Sequence, residues 1–221
     1  MTNPQQPRDA NSPVEVELPP AGGAEHFGEL PWQQLCAYAQ LLTKEGELRG
    51  LVGPRELVRL WDRHILNSTA VSDFLPKSGK VADIGSGAGF PGLVLAILHP
   101  ELEFWLVEAM ERRTDWLELC KEELELPNVR VVRARAENLA GQTTFAAVTA
   151  RAVAALKKLI PLTLPLIESG GSLLAMKGSR AEQEIDAAVM QLRKFNVDWA
   201  DVYDVPVWEA ESTRIVELRK L

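Results

Sequence analysis

The residues that most clearly indicate chemistry are three glycines separated by single residues: Gly85, Gly87 and Gly89. Glycine has no side chain, so a turn made of these residues lets a ligand approach the backbone closely. The apolar run at 81–84 before the turn is typical of a buried strand, and Pro91 with the apolar residues after it predicts a helix. A strand, a glycine turn and a helix in this order indicate a binding site for a nucleotide-bearing small molecule.

A second candidate is Glu108, which ends an apolar strand predicted over 102–107. It follows the turn by about twenty residues, where doubly wound folds place an acid that accepts hydrogen bonds from ribose hydroxyls. The alternative is that Glu108 caps the helix predicted over 111–124. The position therefore predicts a ribose contact, with helix capping as the competing interpretation.

The spacing of the glycines distinguishes two classes of ligand. Dinucleotide-binding turns use Gly-x-Gly-x-x-Gly, which brings the pyrophosphate to a helix N-terminus, whereas the third glycine here comes one residue earlier. S-adenosylmethionine carries no phosphate, so its turn needs to admit only the methionine and ribose parts. We therefore predict S-adenosylmethionine as the cofactor, with a dinucleotide oxidoreductase as an alternative.

Composition limits the class of protein. The 221 residues, 46% of them hydrophobic, suffice for one good core but not for two full domains. No apolar stretch reaches the roughly 20 residues that span a bilayer, and the start lacks a signal pattern, so we expect a cytoplasmic protein without membrane contact. The two cysteines and three histidines show no ligand spacing, which predicts no metal site.

The charge distribution leaves room for a polyanionic partner. The formal net charge of −7 argues against one at first, but residues 1–30 hold five acids and one base. The rest of the chain is closer to neutral, so its basic residues can still cluster locally.

The pattern of prolines and apolar residues divides the chain. Residues 1–26 hold five prolines and few apolar side chains, which predicts a disordered acidic tail. A single domain is predicted over 27–221. Within it, apolar residues at helical spacing over 31–75 predict an N-terminal helical segment.

Alternating strands and helices follow. Strands are predicted near 81–84, 102–107, 129–133, 145–149 and 171–176, and helices near 91–99, 111–124, 154–167 and 181–194. This alternation predicts an α/β fold with a doubly wound, mostly parallel sheet. No long helix separates 199–207 from 213–218, which predicts a C-terminal antiparallel edge hairpin. Such a hairpin is typical of class I methyltransferases.

Five short motifs together resemble the GidB/RsmG family of bacterial 16S ribosomal RNA guanine-N7 methyltransferases. They are Arg-His-Ile-Leu-Asn-Ser at 63–68, Asp-Ile-Gly-Ser-Gly-Ala-Gly-Phe-Pro-Gly at 83–92, Arg-Ala-Glu at 135–137, Ala-Arg-Ala at 150–152 and Lys-Gly at 177–178. The resemblance extends from about residue 35 almost to the C-terminus. It implies methylation of a guanine in the decoding-region loop of 16S ribosomal RNA, within the 30S subunit or its precursor.

The resemblance also implies roles for individual residues. The family positions that match Gly85, Phe90, Ala136, Glu137 and Arg151 contact S-adenosylmethionine. Ala136 and Glu137 would hold the adenine edge, although an acid there also favours the start of a helix. Arg151 would form a forked contact with the carboxylate of the cofactor or with an RNA phosphate, the alternative being a surface arginine.

The candidates for contact with RNA or guanine lie before the sheet and after its fifth strand. Arg63 with Asn67, and His64 with Ser68, are spaced to share one side of an α-helix. The resemblance favours substrate contact over basic residues that merely complement a helix dipole. Lys177, after the fifth strand, is the fifth candidate because phosphate binding needs such bases.

No residue is predicted to act as a general base. Guanine N7 carries a lone pair and no proton, so catalysis would rest on holding the nucleophile in line with the methyl group. Asp83 would stabilise positive charge on the base, or instead accept hydrogen bonds from loop amides. Two competing functions stay open: a methyltransferase acting on another acceptor, and a cofactor-binding regulator without turnover.

Overall fold

A seven-stranded sheet organises the part of the chain that the computed structural model describes, residues 16–221. The strands are β1 (Lys80–Ile84), β2 (Glu103–Glu108), β3 (Val129–Arg133), β4 (Phe145–Arg151), β5 (Ile167–Lys177), β6 (Val197–Val207) and β7 (Ala210–Lys220). Their order is β3-β2-β1-β4-β5-β7-β6. Strands β1 to β5 pair in parallel, and β7 is antiparallel to both of its neighbours. The predicted α/β class, with its antiparallel edge hairpin, is confirmed.

Helices precede the sheet and cover both of its faces. They are α1 (Gly23–Phe27), α2 (Glu29–Glu45), α3 (Pro54–Leu57), α4 (Asn67–Thr69), α5 (Gly92–Leu98), α6 (Glu111–Glu123), α7 (Leu156–Thr163), α8 (Ala181–Asp186) and α9 (Val189–Lys194). A π-helical segment, Trp61–Leu66, runs directly into α4 and is called the π-segment below. None of the helices in residues 16–221 has the length and apolarity that a membrane span requires.

Side chains of the central strands alternate between two apolar layers, as the two-residue period of a strand demands. Val81 and Phe104 face the layer that contains α2, α5 and α6, and Ala82 lies in the layer that contains α7. The sheet is therefore buried on both faces, which leaves its carboxyl edge as the place where polar side chains reach solvent.

The strand order determines where along that edge a binding crevice lies. Strand order reverses between β1 and β4, because β1 continues to β2 on one side and β4 continues to β5 on the other. Open α/β sheets bind ligands in the crevice outside the carboxyl ends of the strands at this point. The residues after β1 and β4 thus belong to one crevice.

The structure differs from the sequence-based expectation in two segments. The helix predicted over 181–194 is two helices, α8 and α9, and the break falls at the helix-forming residues Ala187 and Ala188. The predicted tail 1–26 also differs: 1–15 lie outside the described residues, but 16–26 include most of α1. His26 stacks on Trp208, with ring centroids 4.5 Å apart. The composition of the segment cannot reveal this distant partner.

Candidate active site

The glycine turn follows β1 and adopts a conformation that favours glycine. Gly85, Gly87 and Gly89 have φ of 70°, 57° and 111°. The N–H of Gly85 donates to the carbonyl of Val107 at 2.8 Å, so the turn is anchored to β2. A Cβ on Gly85 would lie 2.9 Å from Val153 Cγ2. Close backbone approach and positive φ therefore both require glycine here, as the sequence predicts.

Replacing Gly85 with alanine is expected to cost stability and to weaken cofactor binding. The positive φ costs about 1 kcal/mol in the free energy of unfolding, and the new methyl group enters the cradle beside Val153. Gly50 is a matched control, because its φ is 63° and an added Cβ would meet nothing within 4 Å. Denaturant unfolding should show a similar backbone cost in both variants, while calorimetry should show weaker S-adenosylmethionine binding only for Gly85→Ala. Equal binding by the two variants would contradict this.

Glu108 is buried at the end of β2 and joins the turn to the next helix. Its Oε1 accepts hydrogen bonds from the N–H groups of Ala109 and Met110, at 2.8 and 3.0 Å, just before α6. Its Oε2 accepts from the N–H of Gly87 at 3.2 Å. The carboxylate thus supports the start of α6, as the capping interpretation expects, and also lies against the glycine turn. The ribose contact stays a prediction.

A cavity of about 330 Å³ opens over the turn, and its walls come from four parts of the chain: 51–64, 85–90, Arg113 and 151–152. Its lining includes Val52, His64, Gly87, Phe90 and Arg151. Glu108 is not part of this lining; its carboxylate lies behind Gly87, from whose N–H it accepts a hydrogen bond. The bare backbone of the turn on one side and the Phe90 ring on another suit a ligand that carries a flat base. The residues present therefore fit S-adenosylmethionine.

Other predicted cofactor contacts lie beyond this lining. Ala136 and Glu137 begin the short 3₁₀ turn Ala136–Leu139 after β3; Ala136 is buried and Glu137 is exposed. Arg113, which sequence reasoning did not assign to the cofactor site, does line the cavity, and its Nη1 lies 3.4 Å from Glu108 Oε2. Its place in the first turn of the helix after Glu108 is the signal that would have identified it.

Arg151 connects the end of β4 to the π-segment. Its Nη2 donates to the carbonyl of Arg63 at 2.8 Å and lies 3.0 Å from Nδ1 of His64. The guanidinium also lies 5.7 Å from the centre of the Phe90 ring. Arg151 is thus held in the wall of the cavity by contacts within the chain, and its contact with the cofactor or with RNA stays a prediction.

His64 is held between an acid and a base. Its Nε2 lies 2.7 Å from Glu56 Oε2, and its ring stacks on Phe90 with centroids 5.2 Å apart. With Nε2 protonated and donating to Glu56, Nδ1 accepts from Arg151. Burial and the Arg151 guanidinium lower the pKa of His64, while Glu56 acts in the opposite direction. The neutral ring is the form that completes this chain of contacts.

Acidification is therefore expected to weaken cofactor binding. A proton on His64 Nδ1 removes the acceptor for Arg151 and adds a cation beside Arg151 and Arg63. The pKa of His64 in the folded protein is below its ordinary value of about 6.5. The contribution of His64 to the free energy of unfolding therefore decreases as the pH falls from about 6.5 toward the folded-state pKa. Calorimetric titration of S-adenosylmethionine between about pH 7 and 5 should show the loss.

The control for this prediction is His64→Gln, which cannot gain the proton. Burial raises the pKa of Asp83 to about 6, so that carboxyl titrates in the same window with the opposite effect on stability. The informative quantity is thus the difference between wild type and His64→Gln. If the two show the same pH dependence, His64 is not the group responsible.

Asp83 itself lies under the turn. Its Oδ2 accepts from the N–H of Gly92 at 3.1 Å, and its Oδ1 accepts from the hydroxyl of Thr149 at 3.1 Å. Only 1% of the residue is exposed. The structure therefore favours its second predicted role, hydrogen bonding to an amide near the turn, over charge stabilisation at the guanine.

The four residues predicted to share one helical side are divided between a groove, the cavity and the core. Arg63 and Asn67 line a groove beside the cofactor cavity, whereas His64 faces the cavity itself. Ser68 is fully buried, and its Oγ donates to the carbonyl of His64 at 2.6 Å. Arg63 and Asn67 therefore share one surface, whereas Ser68 does not reach it.

The groove consists of two adjoining spaces of about 630 and 560 Å³. Arg63, Asn67, Arg151 and Lys177 line both. Lys177 Nζ donates to the carbonyl of Ala154 at 2.6 Å and pairs with Glu184 at 2.9 Å. Lys177 therefore holds the loop after β4. It also lines the groove, so the predicted contact with RNA stays a prediction.

Further basic residues reach the groove from elements that sequence reasoning did not place there. Arg59 precedes the π-segment, and Arg214 belongs to β7. Arg214 pairs with Asp204 at 2.8 Å, and Arg59 pairs with Asp62 at 2.7 Å. No signal in the sequence places Arg214, because its position depends on how the hairpin joins the sheet.

Solved structures of methyltransferases share this fold. A SAM-dependent O-methyltransferase from Thermotoga maritima has a TM-score of 0.56 at 14% identity, covering 75% of this chain and 70% of that one. An rRNA methylase from Streptococcus thermophilus has a TM-score of 0.51 at 20% identity, covering 70% and 93%. The fold is that of the class I S-adenosylmethionine-dependent methyltransferases.

Sequence comparison then identifies the family. The family described as "rRNA small subunit methyltransferase G" (GidB) matches residues 32–215, and the chain belongs to this family. A relative from Beutenbergia cavernae named "Ribosomal RNA small subunit methyltransferase G" is 52% identical over 183 residues, 82% of this chain and 86% of that protein. A relative of the same name from Clavibacter sepedonicus is 47% identical over 208 residues, 93% and 97% of the two chains. The predicted family, methyltransferase class and cofactor are confirmed.

Proposed function

We propose that this protein methylates N7 of a guanine in the decoding-region loop of 16S ribosomal RNA. The observation that carries the proposal is the position of Arg151, which lines both the cofactor cavity and the basic groove. A base brought in from the groove would meet the cofactor next to this side chain. The names of the relatives support ribosomal RNA of the small subunit as the acceptor.

Methyl transfer to guanine N7 requires the protein mainly to position the two reactants. S-adenosylmethionine supplies an electrophilic methyl group on a sulfonium. Guanine N7 carries an in-plane lone pair and no proton, so it can attack in line without a general base. The protein's task is to hold the base at the right distance and angle. The neutral His64 and the buried Asp83 are both engaged in holding the site together, which agrees with a mechanism based on positioning.

The groove suits a folded RNA better than a linear one. Arg59, Lys177 and Arg214 each pair with an acid of this chain, so part of the basic charge is already compensated. The remaining charge would attract an extended strand only weakly, whereas a preformed loop can also be recognised by its shape. We propose the 30S subunit or its precursor as substrate, which places the protein in the cytoplasm.

The direct test is to locate the methyl group. Purified enzyme and labelled S-adenosylmethionine are incubated with 30S subunits that lack the modification, with naked 16S ribosomal RNA and with a short linear oligonucleotide. Mass spectrometry of nuclease fragments should show one N7-methylguanine in the decoding-region loop, formed best on assembled subunits. Methylation at another atom or in another region would refute the acceptor, and equal activity on the oligonucleotide would refute the folded substrate.

Two groove arginines should dominate binding of the phosphate backbone. Arg63 and Arg180 both line the space of about 560 Å³ in the groove. Within residues 16–221, both are exposed and form no ion pair with a carboxylate. Replacing either with alanine should weaken subunit binding and reduce the slope of log affinity against log salt by about 0.7 to 0.9. Arg193→Ala, at an exposed position of α9, should leave both unchanged. A slope equal to that of wild type in Arg63→Ala would show that this side chain contacts no phosphate.

A further inference from the structure

We propose that Glu17 is a positioning residue of the active site, which acts by fixing the π-segment that carries His64. The expected effect on methylation of RNA rests on the function proposed above, whereas the expected effect on cofactor affinity does not. Glu17 lies in the part of the chain that composition predicts to be a disordered tail.

The evidence is the interruption of the helix between α3 and the π-segment. Glu17 forms hydrogen bonds both to the end of α3 and to the start of the π-segment. In a continuous α-helix, the N–H of Trp61 would donate to the carbonyl of Leu57. Here the carbonyl of Leu57 accepts from the N–H of Glu17 at 3.1 Å. The N–H groups of Trp61 and Asp62 donate instead to Glu17 Oε2, at 2.6 and 3.1 Å. One residue thus satisfies both ends of the interrupted helix.

These contacts determine where the site residues point. A carboxylate that accepts N–H groups at the start of a helical segment is favoured by hydrogen bonding and by the dipole. Without it, Trp61 and Leu57 are free to form their ordinary helical bond, which would rotate the residues that follow. Arg63 and His64 come next along the chain, and Arg151 contacts the carbonyl of Arg63 and the ring of His64. Loss of Glu17 would therefore reach the cofactor cavity through these two residues.

The segment that carries Glu17 is also anchored at its other end. His26 and Phe27 pack against Trp208 at the turn of the β6–β7 hairpin, with ring centroids 4.5 and 5.5 Å apart. The same hairpin contacts the π-segment, because the N–H of Glu211 donates to Asp62 Oδ1 at 2.9 Å. Residues 17–27 therefore connect the start of the π-segment to the hairpin that forms one wall of the groove.

The test compares Glu17→Ala, Glu17→Asp and Glu17→Gln in the full-length chain. Both N–H groups go to the same oxygen, so the single amide oxygen of glutamine can accept both. The aspartate carboxylate is one methylene shorter and cannot reach without movement. We expect about tenfold weaker S-adenosylmethionine binding in Glu17→Ala, a smaller loss in Glu17→Asp, and affinity within about twofold of wild type in Glu17→Gln. Glu47→Ala, at an exposed position after α2, is the control and should bind normally.

Three readouts separate positioning from general stability. Calorimetry at a temperature where every variant is folded measures cofactor affinity, hydrogen exchange follows the amides of Trp61 and Asp62, and methyl transfer to 30S subunits is assayed separately. Faster exchange of these two amides with weaker binding in Glu17→Ala, both reversed in Glu17→Gln, supports the proposal even if the proposed acceptor is wrong. Unchanged affinity in Glu17→Ala and Glu17→Asp, or no rescue by glutamine, would overturn it.

Discussion

Glu108→Ala is expected to bind S-adenosylmethionine about 100-fold more weakly than the wild type. The carboxylate accepts three backbone hydrogen bonds, including one from Gly87 in the turn. Hydrogen bonds to a charged group contribute about 1.5 to 3 kcal/mol each, and alanine leaves these N–H groups without an acceptor. The proposed contact with the ribose would be lost as well. Isothermal titration calorimetry with S-adenosylmethionine measures the effect.

The matched control is Glu111→Ala. Glu111 lies three residues later at the start of α6, but it is exposed and pairs with Arg133 on the surface. Its removal should change cofactor affinity less than twofold, because exposed ion pairs contribute about 0 to 1 kcal/mol to stability and this one is remote from the turn. If Glu108→Ala bound as tightly as Glu111→Ala, the carboxylate would serve only α6, as the capping interpretation holds.

Arg151→Ala is expected to lower kcat/KM for 30S subunits by about 100- to 1000-fold, corresponding to about 3 to 4 kcal/mol. The guanidinium contacts the carbonyl of Arg63 and the ring of His64 and lines both the cavity and the groove. Its loss would release the π-segment and remove positive charge where cofactor and RNA would meet. Single-turnover methylation assays measure the effect, and calorimetry gives the cofactor contribution.

Arg151→Lys should recover only part of the activity, because an ammonium group lacks the forked geometry that reaches both partners. Arg55→Ala, which removes an exposed arginine in α3, should behave as wild type. An Arg151→Ala enzyme that kept its kcat/KM while losing only thermal stability would show that the side chain is structural and takes no part in binding.

The sequence by itself determined the class of fold and of cofactor. The strand before the glycine turn, the turn and the helix after it are set by neighbouring residues: an apolar run, positive-φ glycines and an apolar helical face. The alternation of such units along 80–194 leaves few topologies open, because parallel strands need right-handed crossovers. The hairpin at the end could also be predicted, because a connection of a few residues is too short for the crossover that a parallel pair needs.

Tertiary structure alone decided what the individual polar residues do. His64 and Arg151 are 87 residues apart, and Glu17 and Trp61 are 44 apart, so no local pattern shows that they meet. Ser68 is buried in the core while Arg63 lies in the groove, and the packing of this segment against the rest of the chain decides which side is covered. Local sequence determines the backbone because hydrogen bonding and apolar periodicity act over a few residues. The roles of side chains depend on which distant surfaces the packed core brings together.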